Sequence, residues 1–258
     1  MGNVVLANAE LSDTATIIGS SETTAGPANN LSSMQPRKLW QSTDLTPFVE
    51  VDFSVAETIN LVALLFTNAT SAATGRVRTA ATQGDLTAAP IDDQAMTNAY
   101  IAGEKTHLLL WYPTGMTARW LRVDVSDPTN PNGFMLIGRL YADNALQLQT
   151  NYDFGSQDGF EDDSLISRTD GKQSIPAEGA NRPIVDLTLN ISSEAERFAI
   201  REINRKRGAI KDVLLLTDPD ATQNLHSRIY YGLLQRRRAT INNSFNWNKI
   251  QYQLTGLL

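Results

Sequence analysis

The 258-residue sequence is 41% hydrophobic and 19% charged, enough apolar material for a sizeable core, and its formal net charge is −6. It contains no cysteine and only two histidines, which excludes a disulfide framework and thiolate chemistry and gives a zinc site little material. No stretch approaches the roughly 18 apolar residues that a membrane span needs, so no membrane partner is predicted.

Charge is distributed unevenly along the chain. Residues 1–181 carry 10 Lys and Arg against 21 Asp and Glu, a net −11, whereas residues 182–258 carry 12 against 7, a net +5. A basic segment can bind nucleic acid, but the aromatic residues that interleave with basic ones in RNA-binding segments are missing here. We therefore favour a basic surface that docks on an acidic neighbour, including the acidic part of another copy.

Short strands separated by turns are predicted in the first half of the chain. The predicted strands lie in NVVLANAEL and TATIIGS near the N-terminus and then at residues 48–54, 58–68, 75–82, 107–113, 119–127 and 134–143. Residues 20–36 are rich in Ser, Thr, Asn, Gly and Pro and are predicted to be loop. The continuous apolar run 58–68 is typical of a strand buried on both faces. This spacing, with no helical period between strands, predicts an antiparallel β-sandwich.

The segment RWLRVDVSD, residues 119–127, shows which way one of these strands faces. Its alternation directs Leu121, Val123 and Val125 to the core and Trp120 to the outside or to a neighbour. We favour Trp120 as a packing residue, and the alternative is an exposed contact on the sandwich surface.

The second half predicts a mixed α and β unit. Residues 151–174 are acidic, Gly-rich and weakly patterned, and we interpret them as an acidic loop. Strands are predicted at 182–192, 211–218, 227–235 and 249–258. A helix is predicted at 193–208, where Ser193 and Glu196 form a capping box and Gly208 supplies the stop. Its apolar face is predicted to contain Ala195, Phe198, Ala199 and Ile203.

An ordered set of motifs over residues 22–142 resembles the discoidin, or coagulation-factor type C, sandwich of the galactose-binding-like superfamily. The motifs are Trp40, Val51 to Phe53, Ile59 to Val62, Ala118 to Val123 and Ile137 to Tyr141. The resemblance implies that RWLRVDV and MLIGRLY are late strands of a β-sandwich of the jelly-roll type, and that SDPTNPNG is the loop between them.

Residues 146–258 resemble the tail-tube-like domain of tail-tip and distal-tail proteins of tailed bacteriophages. The helix EAERFAIREI, the strands in IKDVLLLTDP and RIYYGLL, and the closing strand IQYQLTGL carry this resemblance. It implies a small barrel with one packed helix, several copies of which line a tube. We predict a mainly β chain with a discoidin-like sandwich at 22–143. A discontinuous α+β domain at 1–21 and 144–258 accompanies it, because the N-terminal strands would pair with the C-terminal ones.

These resemblances predict a structural virion protein without enzymatic activity. It would be a baseplate component at the tail tip, assembled in the host cytoplasm, and its ring would extend the tail tube and support host-attachment proteins. The expected partners are other copies of the chain (a hexamer, with a trimer as the alternative), neighbouring tail proteins, and DNA only as it passes through the lumen.

The alternative function is that of a carbohydrate-binding module that contacts host surface glycans. Sugar sites usually combine stacking aromatics with polar groups. The loops 20–36, 83–98 and 126–133 have only Tyr100 nearby, which favours the structural function.

Candidate site residues are few. The candidate inter-subunit contacts are Arg236, Arg237, Arg238, Arg205 and Arg207, and a solvated loop is the alternative for the triplet. No catalytic set and no cofactor are predicted, because no Ser-His-Asp or Cys-His arrangement is legible; a sugar-active enzyme with distant carboxylates is a third alternative. Ca²⁺ could bind the acidic residues of 153–163, but a solvated loop is favoured, and no metal is predicted.

Overall fold

A computed structural model describes residues 2–168, 172–235, 240–244 and 247–257, and of residues 240–244 and 247–248 it describes the backbone alone. The strands are β1 (Val5–Ala7), β2 (Thr16–Gly19), β3 (Trp40–Gln41), β4 (Phe48–Thr67), β5 (Thr74–Ala80), β6 (Asp92–Ala99), β7 (Thr106–Ser126), β8 (Leu136–Ile137), β9 (Arg139–Asp143), β10 (Leu146–Gln147), β11 (Gln157–Asp162), β12 (Leu165–Arg168), β13 (Ser174–Ala177), β14 (Asn181–Ile191), β15 (Asp212–Leu216), β16 (Ile229–Leu234), β17 (Thr240–Ser244) and β18 (Trp247–Gly256). The helices are α1 (Glu10–Thr14), α2 (Asp85–Ala88) and α3 (Glu194–Arg207), with 3-10 turns at Ala28–Ser32 and His226–Arg228.

Two long strands, β4 and β7, form the spine of the sandwich. They pair antiparallel with Val51 opposite Leu121, and each merges two of the strands predicted from the sequence. Their register shifts at three places, including between Asp52 and Glu57, and such irregularities bend a strand. The long strands therefore curve around the core while β2 and β9 pair with β4, and β5 and β6 pair with β7. The predicted fold class, mainly β with an antiparallel sandwich, is confirmed.

The core of the sandwich contains the residues that the alternation predicted. Leu121, Val123 and Val125 are buried in it beside the fully buried Trp40. The segment that was expected to be loop at 83–98 is only partly so, because residues 92–99 form β6. Most of its sequence, DDQAMTNA, is polar and exposed. The buried Met96 and Ala99 therefore do not stand out as the pattern of a strand.

The C-terminal half forms an eight-stranded sheet. Seven of its strands follow the order β10-β1-β15-β16-β18-β14-β11, and β17 pairs with β18. The helix α3 covers one face, where Ile200 and Ile203 join Leu187, Leu189 and other strand residues in a second core. At the ends of this order lie β10 and β11, and among the described strands β11 pairs only with β14.

The two N-terminal strands separate. β1 pairs with β15, with Leu6 opposite Leu215, so the expected pairing with the C-terminal half is confirmed for this strand. β2 pairs instead with β4 inside the sandwich, with Ile17 opposite Val51, so the expectation was wrong for TATIIGS. Ile17 is buried in the sandwich core, and its burial there accounts for the difference. The division into domains at residues 22 and 143 stays a prediction.

The helix α3 begins and ends as predicted but exposes a different face. Ser193 accepts a hydrogen bond from the Glu196 amide at 3.2 Å, and the Gly208 amide donates to the Asn204 carbonyl at 2.9 Å. The buried positions are Glu196, Ile200, Ile203 and Arg207, whereas Phe198 is 56% exposed. The predicted apolar face was therefore right for Ile203 and wrong for Ala195 and Phe198, because the face that carries Ile200 and Ile203 is the one that packs on the sheet.

A third core joins the sandwich to the C-terminal sheet. It takes Leu61, Ala63 and Leu65 from β4, and Leu214 and Leu216 from β15, all of them essentially inaccessible to solvent. The neighbouring residues Val62 and Leu64 of β4 face the sandwich core. The prediction of a strand buried on both faces is thus confirmed. In the part of the chain that the structure describes, no helix has the length and apolarity of a transmembrane segment.

Candidate interaction surfaces

An exposed arm is defined here as the described residues of the segment 157–180, with the strands β11, β12 and β13. β12 and β13 form a sheet of their own, and all eight of their residues are exposed. Leu165 and Ile166 are 73% and 72% exposed, and Ile175 is 50% exposed. Exposed apolar residues that cluster in this way mark interaction sites more often than isolated ones do.

Both faces of the β12–β13 hairpin carry apolar side chains. Leu165 lies opposite Ala177 and Ser167 lies opposite Ile175, so Leu165 and Ile175 share one face. Ile166 lies opposite Pro176 on the other face. An isolated two-stranded hairpin is marginally stable in water, and neither face of this one covers a core of its own subunit. The arm therefore has the character of a segment that needs a partner.

The base of the arm is closed by specific contacts. The Asp163 amide donates to the Ala180 carbonyl at 3.2 Å, and the Gly179 amide donates to Ser164 Oγ at 2.9 Å. Arg182 forms an ion pair with Asp163 across the same base. The acidic loop expected at 151–174 was therefore wrong in part, because that segment contains β11, β12 and the first residue of β13. Their side chains are almost all exposed. The sequence therefore lacks the alternation of apolar and polar residues from which a strand is predicted.

The acidic residues near the arm are spread out and are not gathered into a pocket. A hydrogen bond from Lys249 lowers the pKa of Asp153, and hydrogen bonds from Ser164 lower that of Asp162. Among the described residues no group of three His, Cys, Asp or Glu is placed to hold a metal ion. The described carboxylates of residues 153–163 are exposed or ion-paired, and they do not form the cluster of oxygen ligands that Ca²⁺ requires.

A polar cleft of about 330 Å³ lies at one end of the sandwich. It is bounded by the segments 67–70, 103–105 and 130–132, with Tyr100 at its edge, 42% exposed. Many of its polar groups are already used: the Asn68 amide donates to Phe134, and Asn130 donates to the Asn68 carbonyl. Tyr100 is the aromatic residue among those that line the cleft, and it is the aromatic residue named from the sequence near the sandwich loops.

Buried charges lie at the junction between the sandwich and the C-terminal sheet. The fully buried Arg139 of β9 donates to Asp212 of β15 at 3.0 Å and also pairs with Asp13 of α1. Tyr141 donates to the same Asp212 carboxylate at 2.9 Å. Arg207 at the end of α3 completes the network, with its Nη1 2.7 Å from Asp13. The carboxylates compensate the desolvated guanidiniums, so the network holds four elements in one arrangement.

The two histidines, distant in sequence, stack with their ring centroids 4.7 Å apart. They lie at a cleft of about 570 Å³ that is lined largely by apolar groups, among them Phe66, Phe160 and Tyr231. Burial, and to a smaller degree the nearby His226, lowers the pKa of His107 to about 3. His107 is therefore neutral and accepts a hydrogen bond from the Phe66 amide at 3.1 Å. The stacked pair acts as packing between the two halves of the chain.

The candidate residues named from the sequence fall into three groups. Arg236, Arg237 and Arg238 lie outside the described residues. Arg205 is exposed and pairs with Glu202 at 2.7 Å, whereas Arg207 is buried and occupied by Asp13, so its side chain is not available to a second copy. Trp120 is half-buried with the Arg119 guanidinium 5.7 Å from its ring, and its role as a contact stays a prediction.

No protein-family model matches the sequence, and no curated protein matches it. Solved structures similar to this chain include a fucose binding module of Streptococcus pneumoniae, with 16% identity, a TM-score of 0.37, and coverage of 50% of this chain and 89% of the module. The family 32 carbohydrate-binding module of Clostridium perfringens NanJ, solved with galactose, has 12% identity, a TM-score of 0.39, and coverage of 54% and 98%. The lectin domain of lectinolysin, solved with Lewis B antigen, has 13% identity, a TM-score of 0.38, and coverage of 50% and 92%. The tail-tip resemblance stays a prediction.

Proposed function

We propose that this chain is a structural assembly protein whose copies associate through the arm, and that the assembly is a ring at the tail tip of a tailed bacteriophage. The proposal assigns the chain no catalytic role. The observation that carries the association is the β12–β13 hairpin, which exposes Leu165, Ile166 and Ile175 on two faces without a partner core. The phage setting rests on the sequence resemblance of residues 146–258.

Burial of such side chains between copies stabilises association by about 25 cal/mol per Å² of apolar surface removed from water. The edge strand β11 adds unpaired backbone groups beside the apolar hairpin, since β11 pairs only with β14 in the described part of the chain. Neighbouring tail proteins are the expected second class of partner, because a ring presents two open faces.

The test is removal of the arm. Residues 164–179 are replaced by Asn-Gly, which joins Asp163 to Ala180 through a two-residue hairpin turn where the ladder of β11 and β14 ends. The described residues removed are exposed or half-buried, so the monomer should keep its thermal stability. We expect the full chain to form oligomers in mass photometry and the shortened chain to be monomeric. A full chain that stays monomeric at high micromolar concentration and low salt would contradict the proposal.

Carbohydrate binding by the sandwich is a second candidate function. The observation that favours it is the polar cleft with Tyr100 at its edge, a combination of stacking surface and hydrogen-bonding groups that suits a sugar ring. The solved modules named above bind fucose or galactose or carry Lewis B antigen, which suggests galactose and fucosylated oligosaccharides as probes.

This second candidate is tested by titration of these sugars into the full chain. Binding that is lost in Tyr100→Ala and kept in Trp120→Ala, a residue that does not line the cleft, would support it. No binding of any probe at millimolar concentration, or equal binding by both variants, would count against the cleft as a sugar site.

A further inference from the structure

The exposed face of α3 is a second surface without a partner in its own subunit. Phe198 is 56% exposed there, and Ile210, just beyond the helix, is 75% exposed. Residues 198, 201, 202 and 205 are three, four and seven positions apart, so they lie along one face of the helix. Arg201 is exposed on this face, and among the described residues it forms no ion pair.

The helix α3 with the turn after it is basic, and the arm is acidic. Residues 194–211 contain six Lys and Arg and three Asp and Glu, a net charge of 6 − 3 = +3. Residues 157–180 contain two Lys and Arg and six Asp and Glu, a net charge of 2 − 6 = −4. In the described part of the chain no ion pair joins the arm to α3, so these opposite charges do not neutralise each other within one subunit.

We propose that the arm of one copy docks on the exposed face of α3 of the next copy, an inference that rests on the proposed function. Ile166 and Pro176, which share one face of the hairpin, meet Phe198 of the next copy. The carboxylates of Glu161 and Asp162 at the base of the arm lie toward the basic side of the contact, where Arg201 and Lys211 form no ion pair with other described residues. Apolar contact supplies the burial, and the opposite charges fix the orientation.

The second copy is the favoured occupant because each surface supplies what the other lacks. Both carry exposed apolar residues, and their net charges are opposite and nearly equal. Since the arm and α3 are different surfaces, each copy uses both of them. Such a head-to-tail contact closes into a ring when the rotation between copies permits it. An arm paired with the arm of another copy would instead give a two-fold dimer, with like charges placed together.

Cysteine pairing tests this contact cleanly because the chain contains no cysteine. Ser174→Cys places a thiol on the arm and Ala195→Cys places one on α3, and both positions are exposed. Thr87→Cys on α2 of the sandwich is the matched control. The full-length single variants are mixed in pairs, oxidised, and resolved as disulfide-linked dimers after denaturation.

We expect the mixture of the Ser174→Cys and Ala195→Cys variants to give the linked dimer in about tenfold greater yield than either variant mixed with the Thr87→Cys control, because docking raises the effective concentration of the two thiols. Linked dimers of the Ser174→Cys variant alone, without the mixed product, would overturn α3 as the acceptor while leaving assembly through the arm intact. An oligomer that yields neither product would also overturn it. If the full chain does not associate at all, the proposed function itself fails.

Charge reversal provides an independent readout. Arg201→Glu should weaken association about tenfold, and Asp162→Arg in the same chain should restore much of it, because the two substitutions exchange the signs of the contact. Glu57→Arg, a reversal on the half-buried part of β4 in the sandwich, serves as the control and should leave association unchanged. If Arg201→Glu weakens association and Asp162→Arg does not restore it, the effect is one of general charge, and this result would count against the proposed contact.

Discussion

The junction between the two halves and the arm place charge and hydrophobicity in opposite ways. At the junction Arg139 and Asp212 are buried and paired inside one subunit. On the arm Leu165 and Ile166 are exposed. Groups that are costly to bury are satisfied at the junction, whereas groups that are costly to expose are left open on the arm. The difference makes the junction the expected source of the stability of the fold and the arm the surface proposed for association.

The largest effect on stability is expected from Arg139→Met. The substitution leaves Asp212 buried with less compensation, so the free energy of unfolding should fall by about 3–5 kcal/mol. Urea titration followed by fluorescence measures the change. Arg205→Met removes an exposed pair on α3 and should have no measurable effect. Equal stability of the two variants would show that the junction does not depend on its buried cation.

The next effect is a pH dependence that comes from His107. Its pKa is lowered from 6.5 to about 3 in the folded chain, so folding favours the neutral imidazole. This contribution to stability is complete above pH 6.5 and is lost as the pH falls below that value, by up to about 1.4 kcal/mol per pH unit until about pH 3. His107→Phe should remove this slope, whatever its effect at neutral pH.

The measurement is the free energy of unfolding of wild type and variant between pH 7.5 and 4.5, a range of about three units over which wild type should lose stability relative to the variant as the pH falls. His226→Gln is the control and should keep the slope, since burial is the larger cause of the shift. Parallel curves for wild type and His107→Phe would show that the stacked pair at the junction does not resist protonation.

A smaller loss is expected at the start of α3. Ser193→Ala removes the side-chain oxygen that accepts from the Glu196 amide, and the loss of such a cap costs about 1 kcal/mol. Thermal unfolding measures it. Ser174→Ala on the exposed arm has no such role and should match wild type. A loss of stability in Ser174→Ala equal to that in Ser193→Ala would contradict the assignment of stability to the body of the subunit.

The smallest effect on stability, and the one that separates the two regions, is expected from Ile166→Ser. The side chain is 72% exposed, so the free energy of unfolding of the monomer should change by no more than about 0.5 kcal/mol. Association should nevertheless weaken, because apolar surface at the contact is lost. Val55→Ser, at a 59% exposed apolar position in the sandwich, should change neither quantity. Unfolding curves and mass photometry are compared for both variants.

The sequence predicts the body of the molecule better than its surfaces. Leu121, Val123 and Val125 occupy every second position, and the capping residues Ser193 and Glu196 are three positions apart. Short-range sequence patterns therefore suffice to predict both features. The burial of Ile200 instead of Phe198 depends on which face of the helix meets the sheet. That choice is made by strands far away in the chain.

The arm and the junction depend on information that a single sequence does not display. The strands of the arm do not alternate apolar and polar residues, because neither of their faces packs on a core of the same subunit. Arg139, Asp212 and Asp13 are far apart in sequence, and only the fold brings them together. Trp40 and the strand motifs of the sandwich predicted its fold class. The placement of β2 depends on the burial of Ile17 in the sandwich core, and the sequence pattern does not show which of the two sheets would bury this residue.

The pairing of β1 with β15 has a consequence during synthesis. Strands β2 to β9 all lie within residues 16–143. In contrast, β1 cannot pair with β15 until Leu215, the partner of Leu6, has been synthesised. At about 5–20 residues per second, the roughly 70 residues from β9 to β15 take about 4–14 seconds to translate. For that interval the apolar segment of β1 has, among the described strands, only the two-residue strand β10 to pair with. A chaperone that holds short apolar segments near the ribosome would find residues 4–7 without their β15 partner throughout that time.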